Sequence, residues 1–230
     1  MQIIPVIDLK AGEVVRAFKG ERAAYAPIVS PLSATSAPRD IVAGLLRLHD
    51  FSTIYVADLD AIEGRRGHRA TICDLARAFP HVRLWIDDGS ADASAIAALR
   101  ALGAEPVIGS ESLEDATATL ASDSDAILSL DFRGERFLGP AALLEDARLW
   151  PWRVIAMTLA RVGAFEGPDL ELLARLARRA EGRDLFAAGG VRDARDLAAL
   201  ERAGVAGVLV ASAIHDGRLS PSDLRRFVAR

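Results

Sequence analysis

The chain holds one cysteine, Cys73, among 230 residues. A single thiol excludes an internal disulfide, so the sequence reads as a protein of a reducing, cytoplasmic compartment, with Cys73 a small buried residue of a helix. A basic excess is also missing. Lys and Arg number 28 against 32 Asp and Glu, a net charge of −4. That balance argues against a general nucleic-acid footprint. It does not argue against a phosphorylated ligand, because backbone N–H groups at helix starts hold phosphate whatever the net charge. No run of about 18 apolar residues occurs and no basic leader precedes an apolar stretch, so neither a membrane span nor an export signal is expected. A glycine-rich turn after the first strand, the mark of an open dinucleotide-binding sheet, is absent too, and Asp8-Leu9-Lys10-Ala11-Gly12 stands in its place.

What the chain does have is regular alternation. Short apolar runs at Ile3–Leu9, Thr53–Leu59, Val82–Asp87, Pro106–Gly109, Ala126–Asp131, Arg153–Leu159, Leu185–Ala188 and Gly207–Ala211 read as eight strands. Between and after them lie residues at helical spacing, such as Ile41, Leu45 and Leu48, Leu75 and Phe79, Leu113 and Leu120, or Leu172, Leu173 and Leu176. Strand and helix in strict alternation favour parallel pairing, since each helix carries a crossover. Eight such units close into one α/β domain over residues 1–230, a (β/α)8 TIM barrel.

The chain also echoes itself. Gly89-Ser90-Ala91-Asp92-Ala93, running on to Leu99 and Gly103, matches Gly190-Val191-Arg192-Asp193-Ala194, running on to Leu200 and Gly204, at equal spacing. The echo predicts a half-barrel duplication, with units three and four matching seven and eight. The longest stretch without period, Lys19 to Pro38, reads as a lid or a mobile loop.

Active sites of this fold lie at the C-terminal ends of the strands. Asp8 and Asp131 end the first and fifth strands, on opposite sides of the mouth, where two carboxylates can serve as general base and general acid. Asp58, Asp60, Asp87 and Asp88 make the mouth acidic, with capping and pairing to Arg16, Arg65 or Arg66 as their structural alternatives. No spacing among them specifies a metal site. Two regions read as phosphate cradles, both rich in the glycine that lets backbone approach a ligand. One is Gly189 and Gly190 with Ala211 and Ser212, the other Gly89 and Ser90 with Gly109 and Ser110. His49, His68, His81 and His215 are scattered, and only His215 stands near a cradle.

Ile4-Pro5-Val6-Ile7-Asp8-Leu9-Lys10-Ala11-Gly12 with Val14-Val15-Arg16, then Val56-Ala57-Asp58-Leu59-Asp60-Ala61, Ser129-Leu130-Asp131, Gly167-Pro168-Asp169-Leu170 and Ala188-Gly189-Gly190-Val191, resemble the histidine-biosynthesis barrels along the whole chain. Within them the chain is most similar to the aminoaldose–aminoketose isomerase branch. The resemblance implies a phosphorylated small-molecule substrate, no metal or organic cofactor, Asp8 as the proton-shuttling base and Arg16 among the phosphate-binding residues. It also implies an aspartate at the end of the sixth strand as general acid, and Thr158 is read at that position. The pair Asp8 and Asp131 resembles the sister cyclase instead, and Asp58 and Thr158 are held as possible site residues. Three readings stay open: a paralogue acting on its own phosphorylated substrate, as with related barrels beside one-carbon cofactor genes in methylotrophs; the histidine-pathway isomerase itself; and a non-catalytic binding or assembly protein on the same barrel.

Overall fold

The computed structural model describes residues 1–113, 119–120 and 125–227. Eight parallel strands close on themselves: β1 (Gln2–Lys10), β3 (Thr53–Asp58), β4 (Arg83–Asp87), β5 (Glu105–Gly109), β6 (Ile127–Arg133), β8 (Arg153–Thr158), β9 (Asp184–Ala188) and β10 (Gly207–Val210). The ring shuts where Ile4 of β1 registers with Leu209 of β10. Two short antiparallel strands, β2 (Glu13–Val15) on β1 and β7 (Arg136–Leu138) on β6, extend hairpins above opposite sides of the mouth. The chain is thus the expected (β/α)8 barrel.

Successive strand residues face opposite ways, and the barrel sorts them into two cores. Ile54, Val56, Leu84, Ile86, Ile108, Leu128, Leu130, Val154 and Ala156 face outward and pack under the helices. Ile4, Tyr55, Trp85, Val107, Ile127, Ile155, Phe186 and Leu209 fill the interior. Trp85 and Phe186 meet edge to face at 5.0 Å, and a Cβ on Gly207 would come within 2.7 Å of the Phe186 ring. Gly207 is therefore glycine so that the interior can close. Each inward column, followed upward, arrives at the mouth: Ile4 and Val6 lead to Asp8, Trp85 to Asp87, Ile127 and Ser129 to Asp131, Ile155 to Met157.

The outer helices follow the apolar spacing read above. They include α1 (Pro38–Leu48), the one-turn α2 (Leu59–Ile62), α3 (Arg69–Ala78), α4 (Ala93–Arg100), the one-turn α5 (Ala142–Glu145), α6 (Leu170–Ala177), α7 (Ala194–Arg202), the one-turn α8 (Ser212–His215) and α9 (Pro221–Phe227). Pro38 opens α1 at a first-turn position, where its missing N–H costs nothing. Cys73 lies in α3, half-buried and free. The second strand ends one residue earlier than read, because the Asp58 carboxylate accepts from the Ala61 N–H and starts α2. Leu113 leaves a short 3-10 turn in extended conformation, and most of the helix read from Leu113 to Leu120 lies outside the described residues.

The sequence echo has a structural counterpart. Asp92 caps α4 and Asp193 caps α7, each accepting from the N–H two residues on. Gly89 and Gly190 precede those helices at φ 72° and 86°, and Gly103 and Gly204 follow them at 79° and 75°. All four are left-handed positions, which glycine occupies without penalty. Among the described residues no helix is long and apolar enough to cross a membrane.

Candidate active site

The inward columns end in a cavity of about 920 Å³, counted to its open mouth. Among the described residues five charged side chains line it. Four are the carboxylates of Asp8, Asp87, Glu111 and Asp131, and one is the guanidinium of Arg22. Asp8 and Asp131, named from the sequence, thus share one cavity.

The two acids are held differently. Asp131 is fixed by its neighbours: Oδ1 accepts from the Ser129 hydroxyl at 2.7 Å, and Oδ2 from the Glu111 N–H at 3.1 Å. The Asp8 carboxylate accepts no hydrogen bond from any described residue. Some of its surface opens to the cavity, yet protein surrounds it closely enough to push its pKa to about 7. Burial is the main cause, opposed by Arg22 and reinforced by the charge of Asp87. Asp131 rises to about 7, through burial and then the charge of Asp87. Asp87 rises to about 6 by burial, held back by the Tyr55 hydroxyl, which donates to its Oδ2 at 2.9 Å.

Arg22 arrives on the segment read as a lid. After β2 the chain turns at Lys19 and Gly20, forms a 3-10 turn over Arg22–Ala24, and lies across the mouth. The Lys19 N–H donates to the Val162 carbonyl at 2.7 Å, in the loop after β8. A Cβ on Gly163 would come within 2.3 Å of the Ala17 carbonyl, so only glycine lets the two loops touch. Arg22 pairs with Glu111 beyond β5, and its carbonyl accepts from Lys10 Nζ at 2.5 Å.

The two expected cradles differ. Gly189, Gly190, Ala211 and Ser212 all line the cavity. Gly189 and Gly190 run at φ 104° and 86°, and Cβ atoms there would meet the Thr158 and Gly167 carbonyls at 2.6 and 2.2 Å. No side chain caps α8, whose first residue is Ser212. On the other half, Gly89, Ser90, Gly109 and Ser110 lie off the cavity wall. Their amides are engaged: the Gly89 N–H donates to Asp87 Oδ1 at 3.2 Å and the Ser90 N–H to Asp88 Oδ1 at 3.0 Å. The Ser110 hydroxyl donates to the Leu138 carbonyl at 2.6 Å and accepts from the Asp131 N–H. Gly109 sits between two carboxylates, its Cβ position 3.4 Å from Asp131 and 3.6 Å from Asp87.

Three further expectations are corrected by which way a residue faces. Thr158 belongs to the outward set of β8 and is buried away from the cavity; the residues that reach the cavity there are Met157 and Leu159. Asp58 faces outward on β3, accepting from the His68 N–H and pairing with His68 Nδ1 at 2.8 Å. Arg16 makes two 2.8 Å bonds to Asp216 and stands beside Ser212 only in a smaller side pocket. That pocket also holds His215, whose Nδ1 meets the Ser30 hydroxyl at 3.0 Å and whose pKa burial lowers to about 4. Asp60 is tied to Arg65 and to the Ala11 N–H. Sequence reasoning missed Tyr55, Arg22 and Glu111. Only Tyr55 carried a signal, the inward parity of Tyr55 and Ala57. Among the described residues no three His, Cys, Asp or Glu side chains are grouped as a metal ion requires.

A family model described as histidine biosynthesis protein matches residues 2–220. A Streptomyces coelicolor protein named phosphoribosyl isomerase A is 30% identical over 94% of this chain and 93% of its own. A Salinispora arenicola isomerase of an imidazole-4-carboxamide with two phosphoribosyl groups is 29% identical over 100% of this chain and 98% of its own. An uncharacterized protein of Methanocaldococcus jannaschii is 28% identical over 97% of each.

Proposed function

The chain belongs to the histidine biosynthesis protein family, and we propose that it is an isomerase converting a phosphorylated aminoaldose into the aminoketose, with Asp8 and Asp131 as its proton-transfer pair. The observation that carries this reading is Asp8: a cavity-lining carboxylate with no hydrogen-bond partner among the described residues and a pKa near neutrality. A group with that pKa accepts and returns a proton with comparable ease at the pH of the cell.

The phosphate sits against the backbone of Gly189, Gly190, Ala211 and Ser212, which brings the sugar chain over Asp8. Asp131 protonates the ring oxygen as the nitrogen lone pair opens the ring to the C1 iminium. Asp8 then takes the C2 proton, the C2–H electron pair forms the C1–C2 double bond, and the C1–N π pair returns to nitrogen to give the neutral enaminol. Return of a proton to C1, with loss of the C2 hydroxyl proton, gives the ketone. Every atom is conserved and nothing is oxidised overall. The lid residues Arg22 and Tyr25 exclude water while the enaminol lasts.

The substrate is one of its own rather than the bis-phosphoribosyl compound of the named relatives. Supporting this, carboxylates occupy the amides of the second cradle, and Met157 and Leu159 reach the cavity where the resemblance implied an acid. Complementation of a histidine auxotroph lacking the isomerase tests it. Soluble expression without growth is expected, and growth would overturn the separate substrate. Asp8→Asn is expected to abolish turnover while phosphate binding persists. Full activity in that variant would remove Asp8 from the mechanism.

A further inference from the structure

The cavity is electrically lopsided. Toward β9 and β10 it presents backbone, glycine and the uncapped start of α8. Toward β4, β5 and β6 it presents Asp87, Glu111 and Asp131. These last three are not balanced from behind. Among the described residues the donors that reach Asp87 and Asp131 are neutral ones: the Tyr55, Ser110 and Ser129 hydroxyls and the Gly89 and Glu111 amides. Among the described residues the one cation lining the cavity is Arg22, which comes from the lid rather than from a strand, and it bonds Glu111. A guanidinium therefore already shows what this end of the cavity accepts. A second phosphate there would set two negative charges against three carboxylates, with the amides of Gly89, Ser90 and Glu111 already donated to carboxylates.

We propose that the substrate carries one phosphate and, at its opposite end, a basic nitrogen bound as a cation against Asp87, Glu111 and Asp131. This rests on the isomerase reading above and gives it a substrate class: an amino-sugar monophosphate whose nitrogen side bears no second anion. The same placement suits the chemistry. The nitrogen at C1 gains positive charge as its lone pair opens the ring to the iminium, and fixed carboxylates stabilise that charge where it develops. The unbonded carboxylate of Asp8 lies between the two ends, beside the carbon that loses its proton.

Calorimetric titration of the intact protein at pH 7 separates the possibilities, using inorganic phosphate, glucose 6-phosphate, glucosamine 6-phosphate and fructose 1,6-bisphosphate as probes. Glucosamine 6-phosphate is expected to bind about tenfold more tightly than glucose 6-phosphate, the size of one favourable partly buried charge pair. The bisphosphate is expected to bind more weakly than either. Asp87→Asn and Glu111→Gln should each reduce the amine advantage to about threefold or less while leaving glucose 6-phosphate affinity in place. Equal affinity for the two monophosphates, tightest binding of the bisphosphate, or an amine advantage untouched in both variants would each overturn the inference while leaving the phosphate site standing. If no probe binds, inorganic phosphate included, the isomerase reading itself fails. Circular dichroism and thermal melts confirm that each variant is folded, and Glu111→Gln, at the cavity rim, serves if Asp87→Asn does not fold.

Discussion

The two halves of this barrel share a scaffold and differ in the sign of their loops. Asp92 and Asp193 cap equivalent helices, and Gly103 and Gly204 end them in the same left-handed turn. Before those helices one half reads Asp87-Asp88-Gly89 and the other Ala188-Gly189-Gly190. In the first, carboxylates take the turn amides for themselves. In the second, the glycines line the cavity, as does the start of the one-turn α8 after β10, which no side chain of the described residues caps. Two side chains thus turn an anion cradle into an acidic wall. Likeness of sequence and backbone between repeats does not carry over to the ligand.

The largest expected effect concerns the acid facing both loops. Asp8→Asn should lower turnover by about 10² to 10⁴-fold, the usual weight of a general base. Wild-type activity should follow a narrow bell around pH 7, since Asp8 and Asp131 both titrate near there. A rate flat from pH 5 to 9 would contradict both assignments.

Gly190→Ala against Gly89→Ala tests the halves directly. The first would drive a Cβ to 2.2 Å from the Gly167 carbonyl at φ 86°, and should cost about 2 kcal/mol or more with loss of phosphate affinity. The second meets nothing closer than the Ile62 Cα, at 3.0 Å, and should cost about 1 kcal/mol with phosphate affinity unchanged. Thermal melts and phosphate titration read both, and equal loss of phosphate affinity would erase the distinction.

The acidic wall should also show in stability. Asp87 has a folded pKa raised to about 6, so the fold prefers its protonated form. Its contribution is favourable below the unfolded value near 4 and is lost as pH rises through about 6. Asp87→Asn should therefore raise Tm by several degrees at pH 8, about 2–4 °C per kcal/mol, and by little at pH 4. A lower Tm at pH 8 would show that its hydrogen bonds outweigh burial. The smallest effects belong to what the halves share: Asp92→Ala and Asp193→Ala should each cost about 1 kcal/mol, as helix caps do.

Much of this was legible in the sequence because barrels repeat. The eight strands follow from apolar runs, and Asp8 and Asp131 from their place at strand ends. Thr158 and Asp58 were misplaced because strand-end parity is a one-residue matter. Reading the period of two upward from Ile155 reaches Met157, and the turn that follows delivers Leu159. Leu159→Asp, rather than Thr158→Asp, is therefore the change that puts a carboxyl into the cavity. Arg22 and Glu111 were illegible for a different reason. They stand 89 residues apart, and only closure of the lid over the ring brings them together.

The two-sidedness of the strands has an evolutionary consequence. On β4, Leu84 and Ile86 grip helices while Trp85 and Asp87 face the interior. Selection for a new ligand and selection for a folded chain therefore act on alternate residues of one strand. A lineage can exchange an aspartate for a glycine at the rim without repacking a single helix, so a duplicated gene of this kind can change its chemistry within a few substitutions.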